Sequence, residues 1–474
     1  MRTSVFGFFQ GRAAGILAVS AALFVVAQAP ISAATATNTL VWRLRENTVD
    51  ADIEGWPLQK LLERVSAKTR WSVFVEPDTQ HTVTARFKEL KPGEALRRLL
   101  GNLSFLLLPS TNGLSTLYVF HTSVQTATNL VAAPAERGAA AGTNQAIADE
   151  LVVRLKPGAT IDDLAKRLGA QVVGRLDGAR AYRLKFNDSD AADAARAALA
   201  TNSDVSELES NYAIPRPDQP QALASEAGLP SLTLRPRSDG SQVVVGLVDT
   251  AVQTDGTVLK DFLLPAVSVA GPASPPANEP SHGSSMAETM LYGLEKSSEA
   301  AKGTLVRILP IDVYGNAEST TTFDIARGIQ EAVTGGAAIV NLSLGGSADS
   351  ALIHSLITSG HDQGIIFTAA AGNEPVTTPT YPAAYPEVIA VTATSPGGAL
   401  ASYANRGDFV DVTAPGTSLV PFDGHAYAVV GTSTATANVS AVAAALMAGT
   451  GKTGPAVETL VRQGLAFKPV PASP

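Results

Sequence analysis

The sequence predicts an α/β fold, a doubly wound parallel sheet, for the C-terminal half of the chain, preceded by two small α+β domains. From residue 241 onward, fully apolar strand patterns alternate with helical patterns, which indicates a parallel sheet covered by helices on both faces. The two earlier segments mix short strands and short helices instead. A chain of 474 residues agrees with this division, since domains average about 150 residues.

Composition excludes several classes of function. Lys and Arg total 35 against 43 Asp and Glu, a net charge of −8, which argues against a nucleic-acid partner because such binding depends on neutralising phosphates. The absence of cysteine excludes disulfide scaffolds, thiolate metal sites and cysteine nucleophiles. Any imidazole chemistry must therefore use one of six histidines: His81, His121, His282, His354, His361 and His425.

Residues 1–36 have the pattern of a secretory signal peptide. Arg2 and Arg12 precede an apolar run at 13–26, and small residues follow at 32–36. The run of about 14 residues is shorter than the roughly 20 that cross a bilayer. We expect an exported protein, periplasmic or secreted, with no transmembrane segment in its mature form; a retained membrane anchor is the alternative.

Residues 39–122 are predicted to form the first α+β domain. Two amphipathic helix patterns lie around Leu61 and Leu99. Nothing here clusters catalytic side chains, so His81 and His121 are interpreted as surface or core residues. The predicted order is β/α/β/β/α/β/β, with strand patterns at residues 40–44, 71–75, 82–87, 105–108 and 117–120.

Residues 149–214 are predicted to form the second α+β domain. The preceding stretch, 123–148, is rich in Ala, Gly, Thr and Asn and is interpreted as a flexible linker. Residues 215–240, rich in Pro and Ser, are interpreted as an exposed connector, where cleavage concentrates. The order β-α-β-β-α-β is the ferredoxin-like arrangement, with strands at 150–155, 170–175, 181–186 and 205–214 and helices at 161–168 and 191–200.

Residues 241–474 are predicted to form the parallel-sheet domain. In such a sheet, ligands bind at the carboxyl ends of the strands. The predicted strands lie at 243–249, 305–313, 339–344, 365–370, 388–392 and 410–412, and the helices at about 284–296, 320–334, 348–363 and 433–448.

Three polar residues lie where this sheet would display side chains. Asp249 ends an apolar strand, His282 precedes a helix and Ser433 precedes an Ala-rich helix. Taken singly, each has a structural explanation as a turn former, a solvated imidazole or an N-cap. Together they suit one mechanism, in which an imidazole oriented by a carboxylate activates a serine hydroxyl. Asn373, otherwise a simple turn residue, could donate a hydrogen bond to the developing oxyanion.

The order Asp249, His282, Asn373, Ser433, in the contexts Val-Asp-Thr, His-Gly-Ser, Ala-Ala-Gly-Asn and Gly-Thr-Ser, resembles the subtilisin-like serine proteases, or subtilases. The resemblance covers about 241–468 and implies a serine endopeptidase acting on proteins or peptides. It implies that Ser433 is the nucleophile, His282 the general base and acid, Asp249 the orienting carboxylate and Asn373 the oxyanion donor.

The same resemblance assigns two further parts of the chain. Residues 341–346 are similar to the family segment that lines the primary specificity pocket, which implies substrate binding by Ser343, Leu344 and Gly345. Residues 149–214 are similar to subtilase prodomains, which implies that this domain docks on the protease as its partner, and we expect maturation cuts within 215–240. Calcium is common in the family, but no carboxylate cluster has ligand spacing, so no cofactor or metal is assigned.

The first α+β domain has a resemblance of its own. Residues 52–58, DIEGWPL, and the following 92–96, PGEAL, resemble the short N-terminal domain that precedes secretins and TonB-dependent receptors. This resemblance implies periplasmic residence and contact with an envelope protein.

Four residues depart from the subtilase pattern. Ala251 and Glu288 replace small residues around the general base, and Ala437 and Asn438 replace the usual Pro-His of the nucleophile helix. We expect Ala437 to favour helix continuation and Glu288 to add an uncompensated charge near His282. The alternative function is therefore a catalytically weak or inactive peptide-binding or sensory envelope protein.

Overall fold

The structure is a computed structural model and describes residues 38–43, 46–69, 71–76, 79–108, 116–121, 127, 129–132, 146–222, 231–255, 257–296 and 303–467. The predicted signal peptide, 1–36, lies outside these ranges. Within them, no helix has the length and apolar character needed to cross a membrane.

The N-terminal domain, residues 39–132, contains two sheets and two helices. The sheets have strand orders β1-β2-β4 and β5-β6-β3-β7, and Leu61, Leu62, Leu96 and Leu99 of the helices fill the core. The elements are β1 Thr39–Arg43, β2 Thr48–Pro57, α1 Leu58–Thr69, β3 Ser72–Val75, β4 Thr82–Leu90, α2 Pro92–Leu100, β5 Ser104–Leu108, β6 Thr116–Phe120 and β7 Asn129–Ala132.

Two of these strands differ from the sequence prediction. β2 carries Asp50, Asp52 and Glu54, which weaken its strand signal, yet β1 and β4 pair with it on both sides. β7 falls inside the stretch 123–148 that was expected to be a linker and pairs with β3. Tertiary pairing here outweighs the low strand propensity of the residues involved.

The ferredoxin-like domain, residues 146–215, has the predicted β-α-β-β-α-β order. Its antiparallel strands are arranged β11-β8-β10-β9. The first strand begins at Ala146, inside the expected linker, because Ala146 pairs with Tyr212. The elements are β8 Ala146–Leu155, α3 Ile161–Leu168, β9 Gln171–Leu176, β10 Ala181–Lys185, α4 Ser189–Leu199 and β11 Val205–Pro215.

The C-terminal domain has the predicted α/β architecture. Seven parallel strands follow the order β14-β15-β13-β17-β18-β19-β20. The elements are β12 Gln221–Ala222, β13 Val243–Asp249, β14 Val267–Ser268, α5 His282–Glu295, β15 Val306–Asp312, β16 Ser319–Thr321, α6 Thr322–Thr334, β17 Ile339–Leu342, α7 Ala351–Asp362, β18 Ile366–Ala370, β19 Val388–Thr394, β20 Val412–Pro415, β21 Thr417–Phe422, β22 His425–Val430, α8 Thr432–Thr450 and α9 Gly454–Gly464.

Strand side chains alternate between two cores on opposite faces of this sheet. Along β13, Val245 and Leu247 pack with α5 and α8, whereas Val244 and Val248 pack with α6 and α7. Burial on both faces explains why the strand is apolar throughout. Because the strands are parallel, the carboxyl ends of β13, β17 and β18 lie at one edge of the sheet, where the polar residues of the candidate site follow.

The hairpin of β21 and β22 and the helix α9 were not predicted. Asp423 and Gly424 connect the two strands with φ values of 48° and 78°. An Asp-Gly pair between strand-like runs is a recognised signal for a two-residue hairpin turn. The hairpin therefore had a sequence signal, and it leads directly into α8.

Candidate active site

Asp249 and His282 form a buried pair at the carboxyl edge of the sheet. Asp249 ends β13 and is fully buried, and His282 is the first residue of α5. Nδ1 of His282 lies 2.8 and 2.9 Å from the two carboxylate oxygens of Asp249. Because an ionised carboxylate only accepts hydrogen bonds, Nδ1 must carry the hydrogen. The neutral imidazole then keeps Nε2 as its proton acceptor.

Thr250 and Gly283 fix the relative position of this pair. The amide of Thr250 donates to Oδ1 of Asp249 at 2.6 Å, and the amide of Gly283 donates to Oγ1 of Thr250 at 2.8 Å. A Cβ atom on Gly283 would lie 2.2 Å from the carbonyl oxygen of Thr250. Only glycine allows this approach of α5 to the end of β13.

Ser433 lies in the first turn of α8 and is 9% exposed. Its Oγ donates to the carbonyl oxygen of Ser343 at 3.0 Å, and Oγ of Ser343 lies 3.1 Å from the carbonyl of Ser433. Among the contacts of the described residues, the hydroxyl of Ser433 makes no hydrogen bond to His282. Because a hydroxyl has a single hydrogen, Ser433 would have to release the Ser343 carbonyl in order to donate to the imidazole.

The orientation of the Asn373 amide follows from its hydrogen bonds. Its Oδ1 accepts from the amide of Thr432 at 2.8 Å and from Oγ1 of Thr432 at 3.0 Å. The amide nitrogen Nδ2 lies near Gly431, where an added Cβ would be 3.0 Å away, and Asn373 as a whole is exposed. Asn405 holds this loop, because it donates to Ala371 at 2.7 Å and accepts from Glu374 at 2.9 Å.

The three predicted substrate-binding residues occupy different environments. Ser343 is fully buried, and Leu344 packs its side chain into the core with α6 and α7. Gly345 is exposed, and a Cβ there would lie 2.7 Å from the carbonyl oxygen of Tyr381. Leu344 therefore has only its backbone to offer a peptide.

The chain that leaves the ferredoxin-like domain passes between two edges of this site. β11 pairs with β16 through Ala213, Ile214 and Pro215, and the amide of Arg216 donates to the carbonyl of Glu318 at 2.9 Å. Five residues after Arg216, β12 pairs with β22, Gln221 opposite Ala428. We call residues 216–220 the strap. β22, with which the chain pairs directly after the strap, leads into α8 and Ser433.

The ferredoxin-like domain caps two helices of the C-terminal domain. Glu209 accepts from Oγ of Ser350 at 2.7 Å and from the amide of Ala351 at 2.8 Å, at the start of α7. Asn211 accepts from the amide of Phe323 at 3.2 Å, at the start of α6. These bonds satisfy helix N–H groups that have no partner within their own helix.

The expectation of an uncompensated charge at Glu288 was wrong at neutral pH. Glu288 is 1% exposed, and neither carboxyl oxygen has a hydrogen-bond partner among the described residues. Burial raises the pKa of Glu288 to about 8, so the side chain is mainly protonated and neutral near pH 7. By contrast, Ala437 continues α8 without interruption, as predicted.

Thr250, Thr432 and Asn405 bond to candidate site residues or to the loop that carries Asn373, and sequence reasoning gave none of them a role. Thr250 and Thr432 adjoin predicted site residues, so adjacency was the available signal. Asn405 bonds to backbone 34 residues away, a separation that no local pattern reports. Among the described residues, no group of three His, Asp or Glu side chains is placed to hold a metal ion.

Two family models match the chain. The Subtilase family model matches residues 240–463, and the Fervidolysin N-terminal prodomain model matches residues 132–211. Both lie outside residues 39–122, so the resemblance of that segment to secretin and TonB-associated domains is not confirmed. The assignment of the ferredoxin-like domain as a prodomain is supported.

Individual relatives agree with the family models. The chain is 33% identical to thermitase from Thermoactinomyces vulgaris over 214 residues, covering 44% of this chain and 76% of thermitase. It is 30% identical to Subtilisin Savinase from Lederbergia lenta over 213 residues, covering 43% of this chain and 76% of Subtilisin Savinase.

The crystal structure of fervidolysin from Fervidobacterium pennivorans, described as a keratinolytic enzyme related to subtilisin, shares the fold. Its TM-score is 0.51 at 22% identity, and the match covers 68% of this chain and 57% of that chain. Family model, relatives and parallel-sheet fold all agree, and the chain belongs to the subtilase family of serine endopeptidases.

Proposed function

We propose that the protein hydrolyses peptide bonds through Asp249, His282 and Ser433, with Asn373 as oxyanion donor. The bond from Nδ1 of His282 to the buried carboxylate of Asp249 carries this proposal. It sets the tautomer in which Nε2 can accept a proton, and it stabilises the imidazolium formed afterwards.

The proposed mechanism transfers a proton from Ser433 to His282 and then to the leaving amine. Oγ of Ser433 releases the Ser343 carbonyl and attacks the scissile carbonyl while Nε2 of His282 takes the hydroxyl proton. Nδ2 of Asn373 and the amide of Ser433, in the first turn of α8, donate to the developing oxyanion. His282 then protonates the leaving amine, and a water molecule hydrolyses the acyl-enzyme by the reverse proton transfer.

Self-processing within the strap is part of the proposal. In the antiparallel pairing of β12 with β22, Gln221 is opposite Ala428 and Ala222 is opposite Tyr427. The pairing of β11 with β16 ends at Pro215 and that of β12 with β22 begins at Gln221, so the strap is the part of the chain between two paired segments. We therefore narrow the expected cut from 215–240 to the strap, 216–220.

Purified full-length protein tests both the proposed peptide hydrolysis and the proposed self-processing. We expect conversion to a species that begins within or just after the strap, identified by N-terminal sequencing, together with hydrolysis of a casein substrate. Ser433→Ala should stay uncut, whereas Ser359→Ala, at an exposed position on α7, should process normally. Unchanged processing of purified Ser433→Ala would refute self-cleavage.

The basic start, short apolar run and small residues of 1–36 support export to the periplasm or the medium. N-terminal sequencing of the cell-associated and released precursor tests this. Removal of the segment supports export, and its retention in membranes would support an anchor instead.

The sequence resemblance of residues 52–58 and 92–96 supports an envelope-protein contact through the N-terminal domain. Cross-linking in intact cells tests it with an Asp52→Lys variant, since Asp52 is bonded to Arg86 on the surface at 2.9 Å. Loss of a specific cross-linked band in the variant would support the contact. The same cross-linked bands in the unaltered protein and in Asp52→Lys would argue against the contact.

A catalytically weak peptide-binding protein is the second candidate function. The observation that favours it is the hydroxyl of Ser433, which donates to Ser343 and not to His282. Steady-state hydrolysis by the processed protein separates the two. Turnover that Ser433→Ala abolishes supports the protease, whereas peptide binding without turnover supports the binder.

A further inference from the structure

The four-stranded sheet of the N-terminal domain is apolar on both faces. Along β6, Leu117 and Val119 enter the domain's own core, and the alternate residues Tyr118 and Phe120 point to the opposite face. Phe74 of β3 joins them and stacks on Tyr118, with ring centroids 5.2 Å apart. A sheet with this pattern requires a cover on its second face.

The hairpin of the C-terminal domain provides that cover. Leu419, Ala428 and Val430 pack into one cluster with the second face. Their neighbours Val420 and Tyr427 point the other way, into the core of the C-terminal domain. The hairpin is therefore sandwiched between the N-terminal domain and the core beneath α8.

This contact is adjacent to the nucleophile segment. Oη of Tyr403 donates to the carbonyl of Gly416 at 3.1 Å, and the amide of Gly431 donates to the same carbonyl at 2.9 Å. Burial raises the pKa of Tyr403, and nearby Tyr118 adds to that rise. Only Thr432 separates Gly431 from Ser433.

The contact differs in position from that of the ferredoxin-like domain. Glu209 and Asn211 hold α7 and α6 on one side of the sheet, whereas the cluster around Ala428 lies on the hairpin before α8. Both contacts belong to the chain that precedes the strap. A cut in the strap would therefore produce one fragment attached to the protease at two surfaces, which dissociates more slowly than a fragment attached at one.

We propose that the N-terminal domain is a second anchor of the inhibitory N-terminal fragment, and that its apolar face on the β21–β22 hairpin delays opening of the cleft after the cut. This inference depends on the proposed self-processing for its timing. The docking itself does not depend on catalysis and can be measured separately.

Thiol labelling measures the docking in an uncut precursor. The chain has no cysteine, so Leu419→Cys in the Ser433→Ala protein is a unique thiol beneath the domain. We expect maleimide to label it about tenfold or more slowly than Val258→Cys, an exposed reference at 38%. Phe120→Lys should raise the labelling rate of Leu419→Cys, and Val41→Lys, exposed at 43% on β1, should not.

In protein that retains Ser433, a time course of cleavage and activity then measures how fast the N-terminal fragment is released. Phe120→Lys should shorten the lag between the cut and the appearance of peptidase activity, with final kcat/KM unchanged. Leu419→Ser, on the hairpin side of the contact, should shorten this lag as well. Because Leu419 lies outside the N-terminal domain, its substitution controls for misfolding of that domain.

Rapid labelling of Leu419→Cys in the precursor, or an unchanged lag in both variants, would overturn the second anchor. Absence of any cut would instead refute the proposed self-processing, while the labelling result would still report on docking.

Discussion

The two sides of the proposed catalytic cleft differ in how completely they are assembled. On the β13–α5 side, His282, the proposed base, is buried and its tautomer is set by two short contacts to Asp249. On the α8 side, the hydroxyl of Ser433 bonds to Ser343, and Asn373 lies on an exposed loop. Under the proposed mechanism, the imidazole that accepts the proton is already oriented in the precursor, whereas the hydroxyl of Ser433 has still to leave the Ser343 carbonyl.

The largest effect on kcat should come from a substitution of Asp249, which orients His282 on the β13–α5 side. Asp249→Asn should lower kcat by roughly 10⁴-fold, because an amide can donate to Nδ1 and favour the wrong tautomer. The rate of precursor conversion, followed by gel densitometry, checks this. Asp261→Asn, at an exposed position, is the control, and a loss below tenfold for Asp249→Asn would contradict the role.

A smaller loss of kcat is expected when Asn373, on the α8 side of the cleft, is replaced. Asn373→Leu removes one oxyanion donor and should lower kcat by about 10²–10³-fold with KM nearly unchanged. Steady-state kinetics on a chromogenic peptide measures both constants. Asn278→Leu, also exposed, is the matched control, and a change confined to KM would mean that Asn373 only binds substrate.

Asn405→Ala tests whether Asn405 positions the loop that carries Asn373. Asn405 acts on the loop of Asn373 and not on substrate, so its loss should lower kcat by about tenfold, near the value of one hydrogen bond. In the Asn373→Leu background the same change should have little further effect, since both act through one donor. Additive losses in this double-mutant cycle would refute a positioning role.

The smallest effect on activity is expected at Glu288, where stability should change instead. Because burial raises its pKa in the folded state to about 8, the folded protein retains a proton that the unfolded chain releases above its ordinary pKa of 4.5. Stability should therefore fall as pH rises from about 4.5 to 8, by about 3–5 kcal/mol in all.

Glu288→Gln, a neutral side chain of similar shape, should flatten this decline in Tm. Glu331→Gln, half-buried on α6, should leave the decline in place. Equal slopes for Glu288→Gln and the unaltered protein would contradict a buried neutral carboxyl.

Much of the C-terminal domain could be predicted because its signals are local. Strands buried on two faces are apolar throughout, as in β13, so pattern and structure agree closely there. The strand β7 had no such signal, because it is held by pairing with β3. The order Asp249, His282, Asn373, Ser433 suggested the site through resemblance.

The internal arrangement of the site could not be predicted. The bond from Asn405 to Ala371 joins residues 34 positions apart, and that from Thr432 to Asn373 joins residues 59 apart. The neutral state of Glu288 depends on burial that no single residue reports. The hydrogen bond of the Ser433 hydroxyl likewise depends on the position of the Ser343 carbonyl, 90 residues earlier in the chain.

Reaction of the processed protein with a fluorophosphonate tests the central claim most directly. An activated serine should react, and peptide mass mapping should place the adduct on Ser433, with no adduct in His282→Ala protein processed by added wild-type enzyme. Folded, processed protein that remains unlabelled, or that carries the adduct on another serine, would contradict the account.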